Sequence, residues 1–129
     1  MNDDTQRGLH PRPAPVRWLL GGGEEPDPRF TLANERTYLA WIRTALALLG
    51  GAIALESFAV GVFSAAQRTL LVIGLLLLSA VLSIGACWRW LSIERALRQS
   101  APLPVPLLVP VLSVGTIAGA ALTLRWLLP

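Results

Sequence analysis

A chain of 129 residues that is 53% hydrophobic and only 15% charged, with a mean hydropathy of +0.56, is too apolar and too lightly charged for an ordinary soluble domain. The pI near 10.4 invites a nucleic-acid reading, but the net charge is only +3, all eleven basic residues are Arg, and no basic run with interleaved aromatics occurs. These figures specify a small membrane protein and set nucleic-acid binding aside.

Residues 1–26 hold Pro11, Pro13, Pro15 and Pro26, a glycine run over 21–23 and charges of both signs, and read as a disordered cytosolic tail. Its apolar patch of Val16, Trp18, Leu19 and Leu20 is too short for the hydrophobic region of a signal peptide. The glycine run lacks the Lys-Ser/Thr that follows in a phosphate-binding loop, and reads as a hinge. His10 has no partner there for catalysis or ligation.

The membrane domain is read over 27–129. Asp27 before Pro28 is a good helix start, because the carboxylate accepts from free first-turn amides and Pro at N1 wastes no donor; Thr31 is an alternative start. From there a helix is predicted to run through Arg29, Arg36 and Arg43 and the uncharged stretch 44–55, past Glu56, to about Phe63. Residues 69–88 are twenty uncharged residues between Arg68 and Arg89, about 30 Å of helix, which matches the hydrocarbon thickness. A third run over 107–124 follows Pro102, Pro104 and Pro106 and is closed by Arg125 and Trp126. The expected fold is an all-α membrane protein with three transmembrane helices, spanning about 37–63, 69–91 and 107–128.

Nine of the eleven arginines lie in or before the first span or around the second connection, leaving Arg68 and Arg125 on the other side. The positive-inside rule therefore places the N-terminus in the cytoplasm and the C-terminus outside. Trp41, Trp88 and Trp90 then fall near the cytoplasmic interface and Trp126 near the outer one, as an aromatic belt requires.

Arg29, Arg36 and Arg43 recur every seven residues and fall within about 40° of one another on a helix, so one face carries a ladder of guanidinium groups into the membrane surface. An Arg at a helix centre costs about 2.5–3.5 kcal/mol on insertion scales, which makes such a group a functional-site candidate. Three readings compete: anchoring with salt bridges, an anion or polyanion site, and recruitment of a partner subunit. For the first, Glu94 is in reach of Arg29 and Arg36, and Glu35 is expected to contact Arg89, Arg95 or Arg98. Glu56 lies about 20 Å beyond Arg43 on the opposite face, and only Arg68 and Arg125 are outer-side cations able to meet it. Gly115 and Gly119 form a GxxxG pair, and Gly50 and Gly51 belong to small-residue pairs on the first helix; both are expected to support close helix packing. Cys87 is the single cysteine and reads as a buried small residue, which leaves no disulfide and no metal cluster. No nucleophile has a suitably placed His, so neither catalysis nor a cofactor is expected.

The string ANERTYLAWIRTALAL with DPR upstream resembles the signature of the YidH-like family of small bacterial inner-membrane proteins, also catalogued as domain-of-unknown-function family 202. The likeness is dense over about residues 27–48. Related domains form the membrane part of the eukaryotic vacuolar transporter chaperone, whose first helices supply basic residues to a polyphosphate-conducting pore. By that resemblance Arg36 and Arg43 match the motif's arginines and Arg29 the upstream one, while the polymerase and phosphate-sensing domains are missing. The resemblance implies a multi-pass protein of the bacterial inner membrane, oligomeric or joined to a partner subunit, whose Arg cluster meets lipid phosphate or polyphosphate. The alternative is an assembly subunit with no transported ligand.

Overall fold

The computed structural model describes residue 20 and residues 27–103 and 105–128; apart from Leu20, the tail expected over 1–26 lies outside the described residues. Three helices follow one another: α1 (Pro28–Phe58), α2 (Ala65–Gln99) and α3 (Leu108–Leu127), with no strand among the described residues. Each is long and apolar enough to cross a membrane.

α1 begins as its sequence dictates. The Asp27 carboxylate accepts from the Arg29 amide at 2.9 Å, and Pro28 occupies the first helical position. The helix stops at Phe58 rather than near Phe63, and a short turn follows in which Val62 and Phe63 donate to the Ala59 carbonyl. The reason lies just beyond, in the sequence Ser64-Ala65-Ala66-Gln67. The Ser64 hydroxyl accepts from the Gln67 amide at 3.3 Å, and Gln67 Oε1 accepts from the Ser64 amide at 3.0 Å, a capping box that begins α2.

α2 has 35 residues, about 52 Å of helix, against roughly 30 Å of hydrocarbon. It continues well past Trp90, so Arg89, Arg95 and Arg98 stand on the helix itself and not in a connecting loop. It ends at Ser100, a non-glycine residue in the left-handed region (φ 50°), where the Ser100 and Ala101 amides both donate to the Ala96 carbonyl.

α1 and α2 pack antiparallel along a seam with a seven-residue repeat. On α1 the seam runs Asn34, Tyr38, Trp41, Ala45, Leu48 and Ala52. On α2 it takes in Ser79, Leu82 and Ala86. Small residues on both sides let the backbones approach, which is how helices associate where lipid offers no hydrophobic drive. Two hydrogen bonds fix the register. Ser79 Oγ donates to the Ala45 carbonyl at 2.8 Å, and Asn34 Nδ2 donates to the Trp90 carbonyl at 3.1 Å. The step from 34 to 45 on α1 equals that from 79 to 90 on α2, three helical turns.

The backbone of α3 approaches that of α2 and not that of α1, so α2 is the central helix. Leu108 fits over Gly85, where a Cβ would collide with its side chain, and completes a core with Ala45, Leu82 and Ala86. Gly115 meets Leu78. An apolar cleft of about 460 Å³ lies between the two helices, lined by Gly74, Leu78, Gly115 and Gly119 among others. Most large apolar side chains point outward, as lipid-facing residues do.

Candidate functional site

The seam decides where the ladder points. With Asn34, Tyr38, Trp41 and Ala45 turned to α2, Arg29, Arg36 and Arg43 fall on the opposite side of α1, and all three side chains are exposed. None of the three joins an ion pair among the described residues. The two ion pairs described there lie elsewhere.

The first corrects an expectation. Glu94 does not reach across to Arg29 or Arg36; its Oε1 accepts from Arg98 on the same helix at 3.4 Å, with side chains only 4% and 9% exposed. The helical continuation of α2 puts the two residues one turn apart, where opposite charges meet without crossing between elements. Glu94 Oε2, Arg98 Nε and Arg89 Nε are buried without a hydrogen-bond partner among the described residues, so the pair carries strong desolvation.

The second pair is Arg68 Nε to Glu56 Oε2 at 3.3 Å. The early end of α1 places Glu56 in its last turn, level with the start of α2, so this contact closes the first hairpin. Arg125, the other cation considered for Glu56, is exposed in the last turn of α3.

Glu35, expected to contact Arg89, Arg95 or Arg98, belongs to neither of these two ion pairs. It is exposed and lines a cleft with Tyr38, Leu39, Cys87 and Trp90. Cys87 is correspondingly exposed rather than buried. Of the glycines expected to support packing, Gly115 touches Leu78, whereas an added Cβ at Gly50, Gly51 or Gly119 would meet nothing within 4 Å. Among the described residues no group of three or more His, Cys, Asp and Glu is placed to hold a metal.

Asn34 and Ser79 are the residues that sequence reasoning passed over. Both are polar, both are buried, and both bond across the seam to a backbone carbonyl. Their signal was a polar side chain in register with Tyr38, Ala45 and Leu82.

Residues 29–96, which contain the ladder, the seam and the first hairpin, match the family described as Domain of unknown function (DUF202). The chain belongs to the DUF202 family. It is 46% identical over 82 residues to Inner membrane protein YidH of Escherichia coli (strain K12), covering 64% of this chain and 71% of that protein. The Shigella flexneri protein of the same name matches equally. Uncharacterized protein Rv2272 of Mycobacterium tuberculosis (strain ATCC 25618 / H37Rv) is 46% identical over 80 residues, 62% of this chain and 66% of its own length. No solved structure matches. With three apolar helices and an inner-membrane relative, this DUF202 protein is a multi-pass protein of the inner membrane.

Proposed function

We propose that this DUF202 protein is a non-enzymatic inner-membrane protein that binds phosphate-bearing anions on the outer face of α1, as part of an oligomer, with that end of α1 on the cytoplasmic side. The observation that carries the reading is the exposure of Arg29, Arg36 and Arg43 on one face, none engaged by an acidic side chain of the described chain. Successive guanidinium groups are about 10 Å apart along the axis, a spacing suited to several phosphates in a row. Each offers a planar fork that can take two phosphate oxygens at once. Lipid phosphate and polyphosphate share this chemistry.

Arg43→Gln removes charge and keeps much of the packing stem, so it should leave expression intact and weaken binding of polyphosphate or anionic lipid about tenfold. Arg43→Lys separates a point charge from a bidentate contact, and titration at two ionic strengths controls for screening. Equal affinities across the three proteins would retire the anion site.

The second reading, an assembly subunit with no ligand, draws on Gly50 and Gly51. They are exposed on α1 and open to a close helix neighbour. Native mass spectrometry in mild detergent tests it, since a stable monomer would leave that surface to lipid alone.

A further inference from the structure

We propose that the cleft between α1 and α2 formed by Glu35, Tyr38, Leu39, Cys87 and Trp90 binds the ammonium headgroup of an amine-bearing phospholipid. The cleft has a volume of about 360 Å³ and is built from two short stripes. Glu35, Tyr38 and Leu39 are three and four residues apart on α1, and Cys87 and Trp90 are three apart on α2, so each set shares a face. The antiparallel register brings the stripes together, with the Tyr38 and Trp90 rings 6.3 Å apart and inclined at 52°.

The chemistry of the walls selects a cation. Glu35 enters neither described ion pair, and the faces of Tyr38 and Trp90 attract positive charge through their quadrupoles. A divalent metal would demand several oxygen ligands, and here one carboxylate stands beside two aromatic rings. An organic ammonium needs only that combination. Tyr and Trp alone would be an ordinary interfacial belt. The carboxylate lining the same cleft is what a belt does not explain.

The cleft is also graded as a lipid is. Because the helices run antiparallel, Leu39 and Cys87 both lie about one turn, some 5 Å, deeper toward the hydrocarbon than Glu35 and Trp90. The charged end faces the boundary and the apolar end faces the membrane interior. A headgroup amine above and the start of an acyl chain below fit that gradient, whereas a free amine would use only its upper half. This site is separate from the ladder and does not rest on anion binding.

Cys87 makes the test direct, since it is the only cysteine, is exposed and lines the cleft. Maleimide alkylation of Cys87 is followed in the purified full chain in detergent with added phosphatidylethanolamine, phosphatidylglycerol or free ethanolamine. Phosphatidylethanolamine should slow alkylation several-fold, and the other two at equal concentration should not. With protection expressed relative to each variant's own lipid-free rate, Glu35→Gln should shift the phosphatidylethanolamine titration about tenfold, with Trp90→Leu moving it in the same direction. Equal protection by phosphatidylglycerol, or full protection in Glu35→Gln, would overturn the proposal. Protection by free ethanolamine would overturn the lipid assignment, and slow alkylation without lipid in an oligomer would assign the cleft to a side chain of a second copy.

Discussion

Glu94 shows how much one side chain carries near the C-terminal end of α2. Glu94→Gln would leave the Arg98 guanidinium buried without its counter-ion, and removing one partner of a buried pair costs about 3–5 kcal/mol. The double variant with Arg98→Met should recover much of that loss, because two neutral side chains need no counter-ion. Thermal unfolding in detergent reads both, and a double variant no more stable than Glu94→Gln would show that the charge of Arg98 is not the source. The sequence placed Glu56 beside a short choice of cations, and Arg68 is the one it meets. It misassigned Glu94, because the partner depended on α2 remaining helical to Gln99, which hydropathy does not report. Asn34 was invisible for a related reason. A buried Asn between Ala33 and Glu35 is distinguished only by the seam on which it falls.

At the scale of elements, three apolar helices were legible because each contains a long uncharged run bounded by charged residues. The break between α1 and α2 was misplaced by a few residues, although its cause was written in Ser64 and Gln67. Apolar residues run through the turn over 59–63, and hydropathy alone sees no end to the helix there. Packing between α2 and α3 turns on two glycines of different character. Gly85→Val would drive a side chain into Leu108 and should lower the unfolding temperature, an overpacking penalty of about 1–3 kcal/mol. Gly119→Ala meets open space and should be nearly neutral or slightly stabilising, since Ala is the better helix former. Unfolding midpoints of the two variants side by side decide it, and a Gly85→Val midpoint equal to that of the parent would dismiss the Leu108 contact.

For the whole molecule, the orientation proposed from the distribution of arginines, with the N-terminus and the α2–α3 connection in the cytoplasm and the α1–α2 turn outside, is directly testable. In a Cys87→Ala background, Ser100→Cys should resist an impermeant thiol reagent applied from outside, while Gln67→Cys should react; labelling of position 100 from outside would invert the orientation. The span count was readable, but the central place of α2 was not, because no hydropathy pattern says which two of three helix backbones stay apart. A free, straight helix lets side chains seven residues apart drift by about 20° at each repeat. α1 holds a seven-residue register against α2 from Asn34 to Ala52, so positions on the same period stay in line as seen from α2. Arg29, Arg36 and Arg43 share that period, and Gly50 and Ser57 continue it. The arginines thus form a rail kept straight by Ala45, Ala52 and their neighbours, residues on the far side of the helix that never touch it.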